Sequence, residues 1–399
     1  AFHEFYAGRH GMGSKRGFER ARHPLVFATQ SPHKVLAALS QASIILAENS
    51  LEQTLDLKRF NEAFMMHTST SPHYGIIASI DVATGMMAGD PGRSLVQETL
   101  DEALSFRRAM QQTADRLEED QWWFDVWEPE DALDAEQVQA SDWTLDDNEH
   151  WHGFGPMAED YALLDPIKVT LLTPGVEEKG RLARSGIPAA VVTRFLAERG
   201  LVVEKTGLYS FLILFSLGIT KGKWSTLVSE LQEFKRLYDA NAPLEATLPG
   251  IAATGHYRGL GLQDICQQLH AFYKEQRMVR ILRQIYTELP EMVIRPADAC
   301  QQMVRGQVEM VPVDQLAGRI SAVMLVPYPP GIPVIMPGER FASDSTAITD
   351  FLQVAQNQDA QFPGFESDIH GLRPIHTQDG STIFCVDCLV DIQINPMPT

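Results

Sequence analysis

An α/β fold is predicted by the spacing of apolar runs along this chain. Two strand-like runs, residues 164–172 and 211–217, flank a helical stretch at residues 188–199, with Gly200 where a C-terminal cap belongs. Near the other end, Leu25-Val26-Phe27-Ala28-Thr29 reads as a buried strand, and residues 35–47 read as the apolar helix that follows it. Strand–helix–strand alternation of this kind builds α/β domains. With 399 residues the chain is long enough for about two or three domains with substantial cores.

The remaining elements follow in order. Thr68 to Pro72 is a Ser/Thr/Pro cluster and reads as a loop. A long helix is expected over residues 95–117, where Val96, Leu100, Leu104 and Met110 fall at helical spacing. Residues 118–159 turn acidic and Trp-rich, including Gln121-Trp122-Trp123-Phe124-Asp125. Aromatics beside acids can stack on a cationic ligand, but a strand plus a solvated loop packed on the domain is the preferred reading. Tyr328-Pro329-Pro330-Gly331-Ile332-Pro333 and the residues to Gly338 cannot form a regular helix or a central strand, so a rigid crossing is expected there. Residues 382–390 read as a strand carrying Cys385 and Cys388. Residues three apart on a strand face opposite sides, so this Cys-x-x-Cys is read as two core cysteines and no metal site is assigned.

Composition narrows the partners. A net charge of −19 argues against nucleic acid and anionic membranes, both of which reward basic surfaces. The greasiest stretch, residues 210–219, is too short to span a bilayer. Four cysteines in a chain of this length do not suggest a disulfide framework, so a reducing cytoplasm is the default location.

The most informative residues are Ser31-Pro32-His33-Lys34, between the run at 25–29 and Val35-Leu36-Ala37-Ala38-Leu39. Lysine normally seeks water, so one pinned between apolar segments needs a reason. A Schiff base with pyridoxal phosphate supplies one, because a desolvated amine loses its proton more readily and becomes nucleophilic. Ser31 and His33 add a hydroxyl and an imidazole suited to a phosphate. A solvated loop lysine is the competing reading of the tetrapeptide alone.

The surrounding residues carry a resemblance. Ala28-Thr29-Gln30-Ser31-Pro32-His33-Lys34-Val35-Leu36, Phe64-Met65-Met66-His67-Thr68-Ser69-Thr70 and Trp151-His152-Gly153-Phe154 resemble segments of the bacterial Orn/Lys/Arg decarboxylases. So do Leu164-Asp165-Pro166-Ile167-Lys168, Val203-Glu204-Lys205-Thr206-Gly207, Val326-Pro327-Tyr328-Pro329-Pro330-Gly331 and Phe362-Pro363-Gly364-Phe365-Glu366-Ser367-Asp368-Ile369-His370-Gly371. These blocks span nearly the whole chain in the family's order.

The resemblance implies a fold-type-I, aspartate-aminotransferase-like core, incomplete at its N-terminus. It implies the end of a large pyridoxal-phosphate domain (residues 1–85), a small α/β domain (86–240) and a family-specific α+β C-terminal domain (241–399). Lys34 matches the cofactor lysine, and Ser31 and His33 the positions beside phosphate and imine. Pro32 departs from the family, which usually has threonine there, and removes an N–H and a hydroxyl. Ser69 matches a hydroxyl that reaches the phosphate of the neighbouring subunit, implying a homodimer with shared active sites. A decamer is also implied, as some members form pentamers of dimers. The family's ring-stacking histidine and pyridine-nitrogen aspartate lie upstream of the lysine and have no match in residues such as Ala1-Phe2-His3-Glu4-Phe5-Tyr6, so the chain reads as the C-terminal portion of a longer polypeptide.

The implied reaction is decarboxylation of a basic amino acid. Glu204 matches a glutamate that faces the distal amine in lysine and ornithine members, whereas residues 218–227 resemble the arginine branch. A contact to the substrate's end bears more directly on specificity than a scaffold segment, so lysine is expected first, arginine second and ornithine third. An aminotransferase would add an arginine clamping the α-carboxylate, and no motif commits one. An inactive fragment or scaffold subunit remains the non-enzymatic alternative.

Overall fold

A computed structural model describes residues 25–49, 53–129, 133, 139–145, 152–155, 162–177, 180–343, 347–366, 368–377 and 382–390. Of the positions used above, Ala1 to Tyr6, Trp151, Ser367 and much of the acidic 118–159 stretch lie outside these residues. The described chain is mixed α/β and divides into two compact units, one comprising residues 1–113, 126–169 and 214–226, the other 114–125, 170–213 and 227–399.

The first unit opens with an antiparallel hairpin. Strand β1 (Val26–Gln30) pairs with β2 (Ile44–Glu48), setting Phe27 opposite Ala47 and Thr29 opposite Ile45. The helix expected over 35–47 is not formed. Only α1 (Pro32–Val35) is helical, and Gln41 takes a left-handed φ of 72° in the segment that leads back into β2. The physical reason lies in Ile44, Ile45 and Leu46, which complete a ladder with β1; β-branched residues favour that setting over a helix. The strand is also less buried than expected, with residues alternating between exposed and half-buried.

Helices α2 (Leu57–His67) and α3 (Tyr74–Met86) follow, separated by the predicted loop. Asp56 caps α2 by accepting from the Lys58 and Arg59 amides, satisfying two first-turn donors. Helix α2 buries no residue and α3 buries only Ala83.

Burial begins with α4 (Gly89–Ala114), where the expected helix forms and starts earlier than the apolar spacing alone indicated. Its stripe of Val96, Leu100, Ala103, Leu104, Phe106 and Met110 is buried, and Phe106 packs on Phe215 with ring centroids 5.5 Å apart. Arg107 is enclosed completely in this core. Its Nη1 donates to Glu128 Oε2 at 2.8 Å, Nη2 donates to the carbonyls of Pro166 (3.2 Å) and Lys168 (3.3 Å), and its guanidinium lies 4.9 Å from the Trp143 ring. Burial lowers the Arg107 pKa, and the Glu128 carboxylate acts against that shift.

A four-stranded sheet runs in the order β3 (Asp125–Val126), β4 (Lys168–Leu172), β6 (Ser210–Leu214), β5 (Lys205–Thr206). Between β4 and β5 runs α5 (Ala189–Ala197), and Gly200 beyond it has φ 79°, the left-handed geometry that glycine supplies without strain. Phe195 of α5 meets Phe234 of α6 (Lys221–Asp239) at 5.2 Å, and Phe234 and Phe211 both contact Phe124. Trp122 donates to Asp239 at 2.8 Å and lies 4.9 Å from the Lys235 ammonium.

Farther along come α7 (Leu262–Glu275), α8 (Met278–Gln284), β7 (Val308–Pro312), β8 (Val326–Tyr328), α9 (Ala347–Gln361), β9 (Asp368–His370), β10 (Leu372–His376) and β11 (Thr382–Leu389). β11 lies between β10 and β7, and Cys385 and Cys388 are both buried on this central strand. The Pro/Gly crossing after β8 has no helix, as expected, and contains the cis bonds Tyr328–Pro329 and Pro329–Pro330.

Candidate active site

Lys34 sits on α1, directly after the end of β1. Pro32 occupies the first turn, where a backbone N–H has no intrahelical acceptor, so proline costs this helix little. Ser31 is the N-cap residue and makes no side-chain capping bond, which leaves its exposed hydroxyl uncommitted to the helix. His33 is half-buried, with Nδ1 2.7 Å from the carbonyl oxygen of Ala42. A carbonyl only accepts, so Nδ1 is the donor in this hydrogen bond. The contact fixes the imidazole against the turn that leads into β2.

The expectation of a desolvated lysine is corrected: Lys34 is exposed, and among the described residues no side chain pairs with its ammonium. The cause is the surrounding surface. The hairpin, α2 and the start of α3 leave large apolar side chains in water, including Phe27 (48% exposed), Leu39 (54%), Met66 (81%) and Tyr74 (77%). Phe27, Phe60 and Phe64 form a ladder of rings 6.0 and 6.2 Å apart along this face. Contiguous exposed apolar surface of this kind marks a place where something else packs.

Ser69 lies in the loop after α2 and is exposed. Its hydroxyl accepts from the Ser71 amide at 3.2 Å, while Thr68 Oγ1 ties the loop back to Phe64 O at 2.9 Å. Among the described residues no hydrogen bond joins Ser69 to Ser31, His33 or Lys34. Glu204, in the second unit, is exposed at the bend that enters β5, where its amide donates to Leu212 O at 2.9 Å. Lys205, next along, donates from Nζ to Pro330 O at 3.4 Å.

A feature the sequence did not single out is a cleft of about 280 Å³ in the second unit, lined by Arg194 of α5, Val202, Val203, Thr206, Phe365 and Glu366 among others. Its signal was present within the Phe362–Gly371 block, where Glu366 follows Pro363-Gly364-Phe365.

Two family models match the chain: the Orn/Lys/Arg decarboxylase major domain over residues 1–223, and the Orn/Lys/Arg decarboxylase C-terminal domain over residues 279–390. A lysine decarboxylase of Pseudomonas aeruginosa is 58% identical over 393 residues, covering 98% of this chain and 52% of that protein. The constitutive lysine decarboxylase of Escherichia coli is 44% identical over 374 residues, covering 93% of this chain and 50% of that protein. The solved structure of lysine decarboxylase A from Pseudomonas aeruginosa superposes with a TM-score of 0.91 at 57% identity, over 98% of this chain and 52% of that one. The chain therefore spans about half the length of the relatives it matches.

Proposed function

The chain belongs to the Orn/Lys/Arg decarboxylase family, and from that premise we propose that it serves the decarboxylation of a basic amino acid, L-lysine to cadaverine and CO2 in preference to arginine or ornithine. The observation that carries this reading is the accessible Lys34 amine at the end of β1, beside the fixed imidazole of His33 and the uncommitted hydroxyl of Ser31. Those groups fit pyridoxal 5'-phosphate: a primary amine for its aldehyde, and the Ser31 hydroxyl for its phosphate. The core that carries them is read as fold-type-I. When bound, the cofactor supplies an electron sink for the pair left by departing CO2.

The chain's own residues have distinct tasks in this account. Lys34 would hold the cofactor through its amine and would be placed to return a proton at the substrate's α-carbon. His33, held through Nδ1, keeps a constant ring orientation beside it. Glu204 offers a carboxylate to the distal ammonium of lysine, as a charge-assisted hydrogen bond. The named activities of the two relatives above support lysine as the substrate.

A homodimer with composite sites is part of the same reading, and a decamer built from such dimers is compatible with it. An exposed lysine becomes a good nucleophile when its surroundings are dried, and the apolar face around β1, β2 and α2 offers a surface on which a second subunit would do that. Among the described residues no helix is long and apolar enough to cross a membrane; a cytoplasmic location belongs to the same proposed reading.

The test is a side-by-side assay of the holoenzyme with lysine, arginine and ornithine, following CO2 and diamine. The highest kcat/KM is expected for lysine. A higher value for arginine overturns the substrate choice, and a keto acid in place of CO2 overturns the reaction.

A further inference from the structure

We propose that Ser79 of α3 is a positioning residue for His33, reaching its imidazole through a chain of four hydrogen bonds that crosses the left-handed turn at Gln41. This role rests on the reading of His33 as a group beside the cofactor and adds two residues which that reading does not use. All the groups involved lie in the first unit.

The chain of bonds is continuous. His33 Nδ1 donates to Ala42 O at 2.7 Å, and the Ala42 amide donates to Leu39 O at 3.1 Å. The Leu39 amide donates to Ser79 Oγ at 3.0 Å, and the Ser79 hydroxyl donates to Ile76 O at 2.7 Å. Ile76 and Ser79 lie within one turn of α3, so the far end is fixed to a regular helix. Residues 36–43, between α1 and β2, have no helix or strand of their own. The bonds to Ser79 and Leu39 supply the order that regular structure would otherwise give.

Burial strengthens the link to the ring. Ala42 is completely enclosed, so water does not compete for its carbonyl. A buried carbonyl left without a donor loses its hydration for nothing in return, which favours keeping the imidazole in place. Which ring nitrogen meets a ligand is set by the bond the other one makes. With Nδ1 committed to Ala42, and no partner on Nε2 among the described residues, Nε2 is the nitrogen left to a ligand.

Backbone strain marks the same turn. Gln41 has a φ of 72°, a region that few non-glycine side chains adopt. Such conformations persist where the surroundings hold them, and they gather at functional sites. Gln41 directly precedes Ala42, so its dihedrals set how Ala42 is presented to the ring. The Ala42–Leu39 bond closes the turn around it.

The experiment records ring ¹⁵N spectra of histidine-labelled, cofactor-free protein at mildly alkaline pH, with the His33 signals assigned by their loss in His33→Gln. The ratio of the Nδ1–H to the Nε2–H tautomer reads the hold of Ala42 on the ring. Wild type should be predominantly Nδ1–H. Ser79→Ala should lower the ratio by about two- to tenfold, the worth of one hydrogen bond, and Ser79→Thr, which keeps a hydroxyl, should restore it. Gln41→Val should lower it too, because a β-branched residue resists left-handed backbone, whereas Gln41→Gly should not. An unchanged ratio in Ser79→Ala overturns the proposal, as does a loss that Ser79→Thr fails to restore, or a wild-type ring held as Nε2–H. Thermal melts identify any misfolding; if Ser79→Ala is unfolded, Gln41→Val decides, and a wild-type ratio there overturns the proposal.

A pyridoxal-phosphate titration separates positioning from general support of the fold. Ser79→Ala should weaken cofactor binding by about two- to tenfold when His33 is present and leave it unchanged in the His33→Gln background. No weakening in the first background, or equal weakening in both, overturns the role. Expected tautomer ratios in a wild type that binds no pyridoxal phosphate uphold the hold on His33 and refute the decarboxylase reading. Bound cofactor with an unchanged ratio in Ser79→Ala refutes the Ser79 role alone.

Discussion

Replacing Arg107 with methionine keeps most of the side chain's length and removes its charge from the core of the first unit. Three groups then lose a partner: the Glu128 carboxylate at 2.8 Å and the carbonyls of Pro166 and Lys168. Removing one member of a buried ion pair costs about 3–5 kcal/mol, because the other charge is left uncompensated. The Glu128 side chain retains 16% exposure, against none for Arg107, so water can reach its carboxylate and the lower end of that range applies. A loss of about 3 kcal/mol corresponds to about two decades in the local opening equilibrium, at about 1.4 kcal/mol per decade. Hydrogen exchange of the α4 amides reads that equilibrium directly. Exchange in Arg107→Met should accelerate by about 100-fold, and adding Glu128→Gln should recover part of the loss. Acceleration below about threefold, or a double variant as labile as the single one, would refute the reasoning.

Two further predictions concern the proposed activity. Glu204→Gln removes a charge-assisted hydrogen bond of about 1.5–3 kcal/mol, so kcat/KM for lysine should fall by about 10- to 100-fold with cofactor content unchanged; an unaltered value would make Glu204 an ordinary surface residue. Lys34→Ala subunits mixed with subunits altered at Ser69, each inactive alone, should regain activity through hybrid dimers, measured as CO2 release after co-refolding. A fully active monomer at high dilution would contradict the shared site.

Much of the fold was legible because its signals are local. The 3.6-residue spacing of Val96, Leu100, Leu104 and Met110 identified α4, and Gly200 marked the end of α5 through its left-handed backbone. The helix expected over 35–47 failed because its apolar residues satisfy both a helical stripe and a strand ladder. Pairing with β1 decided between them, and pairing partners are not a property of one segment. The position of Lys34 at the end of β1 could be read from the sequence, but its exposure could not, since burial depends on what packs over the hairpin. Glu366 went unnoticed because Arg194, Thr206 and Glu366 are far apart along the chain and become neighbours only around the cleft.

The central claim is that Lys34 is the cofactor lysine. Its most direct test is borohydride reduction of the pyridoxal-phosphate-loaded protein, followed by peptide mass spectrometry. The account predicts a pyridoxyl group fixed on Lys34 and none on the corresponding peptide of Lys34→Ala. A pyridoxyl group fixed reproducibly on another lysine, with Lys34 unmodified, would contradict it.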